Sequence, residues 1–325
     1  MSLALWLIPS SVLAFSLVSM GYVYRSRGTV RFDNLSEYLR KGWPIFAPLN
    51  CLLYACTPRY ARPPILANAD FPEYELLRQN WQVIRDEALK LKEMGFFEQS
   101  KDTSNVAYYD VGFRTFAKYG WSKFYLKWYG YTHHSAQELC PQTVALLKQV
   151  PQVNGAMFSL LPAHSILSRH LDPVASSLRL HMGLATPNHD ACFIDVDGQI
   201  HSWRDGQILL FDETFLHHVR NDTGDFRLLL MCDVRRPLNP IGWIINALVQ
   251  VALRMSVVPN TSKDRRGLAN ILFHGLVPLL AKTKALKQTN RPLYLVVKYS
   301  INLTLIALAL GLLTLAAWGV SRLFG

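Results

Sequence analysis

His170, Asp172 and His217 have the residue types and spacing of a metal-ligand set. A His-Leu-Asp triplet is followed 45 residues on by a second histidine, in a stretch that reads as short strands. Two histidines and one carboxylate occupy one face of an octahedral ion and leave its other positions open to substrate and O2, the ligation used by non-haem Fe(II) oxygenases. Ten histidines in 325 residues produce such triplets by chance, so the residues around them carry the argument.

Two arginines stand where a core would take apolar side chains. In LRLHMGL, alternation puts Leu178, Leu180, Met182 and Leu184 on one face and Arg179 with His181 on the other. Arg227 opens a strand that is otherwise almost wholly apolar, RLLLMCDV. A buried guanidinium needs an anion, and its fork suits a carboxylate. That carboxylate is either a bound substrate's or an internal partner such as Asp195 or Asp212.

The elements that must position these residues show in the periodicity. From about Ala156 the period is two: 156–161, 178–184, 192–196, 199–203, 208–211, 215–219 and 227–234 are short runs divided by turn signals at Pro187-Asn188, Asp197-Gly198, Asp205-Gly206 and Thr223-Gly224. Many short strands at close spacing predict a jelly roll or barrel, and Asp197-Gly198 between CFIDV and QIHSW predicts a hairpin. Upstream, Phe71–Met94 carries Tyr74, Leu77, Trp81, Ile84, Ala88 and Leu91 at helical spacing and predicts a packing helix. Tyr108–Tyr131 mixes aromatic residues with Arg114, Lys118, Lys123 and Lys127, a pattern of a half-buried sheet edge or of a surface for a ring or head group.

Composition favours a membrane-associated protein. Half of the residues are hydrophobic and mean hydropathy is +0.11, while a net charge of +11 points to an anionic partner. Residues 2–24 and 299–320 are uncharged and long enough for transmembrane helices, and both have their basic flanks on the intervening segment. This predicts a multi-pass inner-membrane protein with a cytosolic middle. A cleaved signal peptide fits less well, because no basic residue precedes the first apolar run. Residues 241–298 hold two shorter apolar runs among Arg254, Lys263, Arg265, Arg266, Lys282, Lys284, Lys287 and Arg291, which suits helices on an anionic membrane surface or covering the domain. No nucleic-acid module is present. The five cysteines are odd in number and form no CxxC pair, so free thiols are expected.

The stretch SRHLDPVASSLRLHMGLATPNHDACFIDVDGQIHSWRDGQILLFDETFLHHVRNDTGDFRLLLMCDVRRP resembles the aspartyl/asparaginyl β-hydroxylase superfamily of Fe(II)/2-oxoglutarate oxygenases. It is most similar to the bacterial branch that 2-hydroxylates a secondary acyl chain of lipid A. The similarity continues upstream through FAPLN, NWQVIRDEALKL, GWSKFYLKWY and LCPQTVALL, and so covers roughly residues 45–240.

This resemblance implies a mainly β, double-stranded β-helix (jelly-roll, cupin-like) core at 151–240, a helical and aromatic-rich part at 25–150, flanking helices and terminal membrane spans. Iron would be held by His170, Asp172 and His217. Arg227 would meet the distal carboxylate of 2-oxoglutarate, with Arg179, His181 and Ser159 at cosubstrate positions. The family's spacing of ten residues between the second iron histidine and that arginine selects His217 over His218. The protein-hydroxylating branch has glycine where Asp172 stands, so the carboxylate implies the lipid branch. Leu171 departs from the arginine usual there. The implied reaction consumes O2 and 2-oxoglutarate, gives succinate and CO2, and 2-hydroxylates an acyl chain of lipid A. Another lipid such as an ornithine lipid, or a protein Asp/Asn side chain, is the alternative substrate.

Overall fold

The structure is a computed structural model; residues 4–102, 105–108, 110, 120–301 and 304 are described. The chain divides into two compact units, Met1–Val18 with Leu272–Gly325, and Ser19–Ile271. All the strands and all the predicted site residues lie in the second.

The strands are β1 (Ile65–Leu66), β2 (Ser122–Trp128), β3 (Tyr131–Thr132), β4 (Val153–Leu161), β5 (Ser165–His170), β6 (Ser177–Ala185), β7 (Cys192–Val196), β8 (Gln199–Ser202), β9 (Ile208–Phe211), β10 (His217–Asn221) and β11 (Arg227–Arg235). They form two antiparallel sheets, β1-β9-β6-β11-β4-β2-β3 and β5-β10-β7-β8. With β4 to β11 counted from one to eight, the sheets run 1-8-3-6 and 2-7-4-5, the strand order of a double-stranded β-helix. The predicted hairpin joins β7 and β8, with Asp197 and Gly198 both at positive φ, as a type I′ turn requires.

Alternation sorts the side chains of the larger sheet into two layers. Leu178, Leu180, Met182 and Leu184 of β6, with Leu228, Leu230, Cys232 and Val234 of β11, pack away from the second sheet. They bury Leu77, Ile84, Ala88 and Leu91 of the helices α4 (Glu75–Gln79) and α5 (Trp81–Glu93). Between the sheets lie Leu161, Leu167, Ile194, Val196, Leu209, Phe211, Val219 and Leu229. The larger sheet is therefore buried on both faces, which is why RLLLMCDV reads as an almost unbroken apolar run. The predicted helix 71–94 is interrupted: a 3-10 turn at Pro72–Tyr74 precedes α4, and Asn80 separates α4 from α5.

The remaining helices in chain order are α1 (Ala4–Arg25), α2 (Leu35–Lys41) and α3 (Ala47–Cys56) before β1, α6 (Phe96–Gln99) before β2, α7 (His134–Leu139) and α8 (Pro141–Gln149) before β4, and α9 (Pro240–Arg254) and α10 (Leu268–Thr289) after β11. Glu87 of α5 accepts hydrogen bonds from the N–H groups of Gln142 and Thr143 at the start of α8, satisfying donors that a helix start leaves open.

The expected multi-pass membrane topology is overturned: among the described residues no helix is long and apolar enough to cross a membrane. In α1 the last turns are committed to the folded domain. Ser19 and Val23 are buried, and Val23, Met20 and Tyr24 pack with Tyr38, Leu53, Leu171 and Leu216. What remains of that helix, Ala4–Val18, is about 15 residues or about 22 Å, short of the roughly 20 residues that span a bilayer. The predicted second span, 299–320, and most of the aromatic and basic run 108–131, including Arg114 and Lys118, lie outside the described residues.

Candidate metal and cosubstrate site

His170 is the last residue of β5 and His217 the first of β10, and the two are paired across the smaller sheet. Asp172 lies in the loop that follows β5. This register brings the two imidazole centroids to 4.3 Å and His170 Nε2 to 3.5 Å from an Asp172 carboxylate oxygen. One ligand atom from each of the three residues lies within 4.8 Å of the others, and no other group of this kind occurs among the described residues. His218, next along β10, points the other way, its ring edge-on to Phe193.

Backbone carbonyls orient both rings. Nδ1 of His170 is 2.9 Å from the Ser168 oxygen, and Nδ1 of His217 is 2.9 Å from the Phe215 oxygen. A carbonyl only accepts, so each Nδ1 carries the proton and each Nε2 presents a lone pair to the cluster. Burial pushes both histidines below their ordinary range, His217 to about 3. They are thus neutral, the protonation state a metal requires.

The carboxylate is held by Arg179. Its Nη2 donates to Asp172 at 3.1 Å and is also ion-paired with Glu213, while Nε lies 3.1 Å from Asp233. Asp233 is the direct cross-strand neighbour of Arg179 on β11. Burial works against the charge on Asp172, but the Arg179 guanidinium beside it outweighs burial and lowers its pKa. Burial also raises Glu213 and Asp233, only partly offset by Arg179. The raised pKa values of Glu213 and Asp233 leave Asp172 as the carboxylate held ionised beside two neutral nitrogen donors, and that donor set fits a divalent metal ion.

Arg227 is the opposite case. It is fully buried, and its Nε, Nη1 and Nη2 have no hydrogen-bond partner. Its guanidinium lies between the rings of Trp121 and Trp203, 4.9 and 4.3 Å from their centroids. Burial pulls its pKa down to about 10. Beside it, His181 has an unpartnered Nδ1 and is depressed well below its usual range by burial and by the charges of Arg227 and Arg179. Trp203 Nε1 is likewise buried without an acceptor. Unpaired buried donors are costly unless a ligand's acceptor meets them; of these three residues His181 lines the metal cleft, whereas Arg227 and Trp203 are not among its lining residues.

His181, Arg179 and Met231 line the same cleft as the three metal-binding candidates, with Trp121, Leu167, Ile194, Phe211 and Val219 as its apolar wall. Ser159 faces the same inter-sheet layer from β4 and is buried. The internal partners expected for an arginine were Asp195 or Asp212. Asp212 instead pairs with Arg27 and Arg236, and Asp195 accepts from the Gly198 N–H in the hairpin turn. Sequence reasoning missed Glu213, Asp233, Trp121 and Trp203. Asp233 was findable from the apolar run it interrupts, and Trp203 from the alternation that ends at SW; Glu213 carries no local signal.

Residues 78–237 match the family model described as Aspartyl/Asparaginyl beta-hydroxylase. The chain is 29% identical over 205 residues to an ornithine lipid ester-linked acyl 2-hydroxylase of Rhizobium tropici, covering 60% of this chain and 70% of that protein. It is 30% identical over 168 residues to a human aspartyl/asparaginyl beta-hydroxylase, covering 50% of this chain but only 21% of the human protein. Among solved structures, a Pseudomonas putida prolyl-4-hydroxylase aligns with 57% of this chain and 99% of its own, with a TM-score of 0.36 and 19% identity.

Proposed function

We propose that this Fe(II)- and 2-oxoglutarate-dependent dioxygenase, whose residues 78–237 match the aspartyl/asparaginyl β-hydroxylase family model, 2-hydroxylates an acyl chain of a membrane lipid. The observation that carries the lipid reading is Asp172, a carboxylate ligand candidate held by Arg179 at the position where the protein-hydroxylating branch has glycine. The similarity to an enzyme named for an acyl chain of ornithine lipid supports it. Lipid A is the substrate to which the resemblance of the 168–237 stretch points, and ornithine lipid is the second candidate.

The chain's residues divide the work. His170 and His217 offer neutral Nε2 atoms and Asp172 a charged oxygen, and Arg179 keeps that oxygen ionised and aimed. Arg227 takes the distal carboxylate of 2-oxoglutarate in a dry slot between two indoles, where a charge-assisted pair is strongest. Leu167, Ile194, Phe211 and Val219 exclude water from the cleft. Bound iron and 2-oxoglutarate supply an O2-driven decarboxylation to succinate and CO2, coupled to transfer of one oxygen atom to a C–H bond.

Mass spectrometry of lipids from cells with and without the protein tests the reading, with Asp172→Ala as control. The expected result is a gain of one oxygen on an acyl chain of lipid A, absent with the variant. A gain on ornithine lipid would replace the substrate and keep the chemistry. Unchanged lipids together with a hydroxylated protein side chain would overturn the lipid reading.

A further inference from the structure

The helix α9 is apolar on both sides. Its inward face sets Ile245 against the cluster of Tyr38, Leu53 and Leu171, and its two buried residues are Gly242 and Asn246. Gly242 lies so close to α3 that a Cβ there would sit 2.4 Å from the Cys56 Cβ, and Asn246, one turn on, donates from its side chain to the Ser176 carbonyl at 2.9 Å. The outward stripe is apolar. Ile241, Ile244, Leu248, Val251 and Met255, spaced by three and four, are between 43% and 74% exposed, and Trp243 stands beside them at 62%. A helix normally turns such a stripe to the core, and a stripe left in water marks an interaction surface.

Neighbouring elements repeat the pattern. Leu39 of α2, Leu52 of α3, and Trp43 and Ile45 between those helices are also exposed. These same elements grip the loop that carries Asp172. The Lys41 carbonyl, at the end of α2, accepts from the Leu171 N–H. Asn50 of α3 donates to the Pro173 carbonyl and accepts from the Ala175 N–H, and Asn246 of α9 holds Ser176. The outward apolar side chains are thus mounted on the scaffold of the metal loop.

Charge identifies the occupant. The exposed charges on or beside these elements include Arg40, Arg59, Arg62 and Arg254, while Glu37, the acid of α2, is buried and paired with Lys41 and Arg169. Two copies of this face would bring like charges together, whereas an anionic bilayer takes both the apolar stripe and the basic rim. We propose that α9, with α2, α3 and the segment between them, is a docking face that lays the chain on an anionic lipid surface beside its metal cleft. The proposal deepens the lipid-hydroxylase reading and rests on it.

The test uses the full chain with vesicles of phosphatidylcholine, with and without phosphatidylglycerol. Ile244→Asp with Leu248→Asp is expected to lower partitioning onto the anionic vesicles at least tenfold, while melting temperature and 2-oxoglutarate binding stay unchanged. In the unsubstituted chain, brominated lipid is expected to quench tryptophan emission that disappears in Trp243→Phe, a readout independent of how the double variant folds. Unchanged partitioning of the folded double variant, or no quenching of Trp243, overturns the proposal. So does a dimer that the double substitution dissociates without altering vesicle binding. Hydroxylation of detergent-dispersed lipid without vesicle binding would sink the docking face and leave the lipid hydroxylase standing; binding through α9 with no lipid oxidised would do the reverse.

Discussion

Arg179 and Arg227 are both buried, both on neighbouring strands of the larger sheet, and both aimed between the sheets, yet their surroundings are opposite. Arg179 has three carboxylates and a pKa raised by Glu213, Asp233 and Asp172 against the effect of burial. Arg227 has two indoles, no acid, and a pKa drawn down by burial to about 10. The first arginine is a counter-ion that the fold needs in order to hold its acids. The second is a charge the fold tolerates without a partner, and under the proposed function it takes a ligand's carboxylate. Strand position alone does not separate these roles; the residues across the sheet do.

Removing each arginine breaks the comparison in a different observable. Arg179→Met strands three buried carboxylates, and loss of one side of a buried ion cluster costs about 3–5 kcal/mol. Denaturant unfolding of the metal-free variant should show that loss, and a change under about 1 kcal/mol would mean that Arg179 is no structural counter-ion. Arg227→Met removes an unpaired cation, so the stability of the ligand-free chain should hold or rise. Its affinity for 2-oxoglutarate should fall by about 1.5–3 kcal/mol, the worth of hydrogen bonds to a charged group, read by calorimetric titration with iron binding retained. A destabilised Arg227→Met would place Arg227 in the same class as Arg179.

A smaller effect follows from His181, which lies between the two arginines. Its folded pKa is depressed, so below its ordinary value of 6.5 the unfolded chain binds a proton that the folded chain does not. Stability from this group is therefore complete above about pH 6.5. It is lost as pH falls, at up to about 1.4 kcal/mol per pH unit, until the folded pKa is reached. Unfolding of the metal-free chain between pH 7 and pH 5 should show a steeper decline than in His181→Asn. Parallel curves would mean that His181 is not held neutral in the folded state.

Strand β7 was legible because alternation survives burial on one face, and β9, buried on both faces, because its short apolar run is bounded by turn signals. β7 and β9 begin and end where the period-two runs do, and the Asp197-Gly198 turn falls where its dipeptide puts it. β5, which carries His170, was not legible: SILSRH leaves Ile166 exposed and keeps only Leu167 well buried, so it shows no apolar face. The predicted membrane span at α1 failed for the converse reason. Hydropathy counts apolar residues without knowing that Ser19, Met20 and Val23 have a protein partner.

The sequence by itself determined the candidate ligand types, the strand periodicity and the resemblance to a family, because each is written in residue identity and local spacing. Only the tertiary structure decided that His170 and His217 meet across β5 and β10, that Asp233 and Glu213 rather than Asp195 or Asp212 join Asp172 around Arg179, and that Arg227 has indoles in place of acids. It also turned the apolar stripe of α9 outward. These are matters of strand order and register, set by contacts between residues far apart in the chain, and a one-dimensional pattern carries no distances between them.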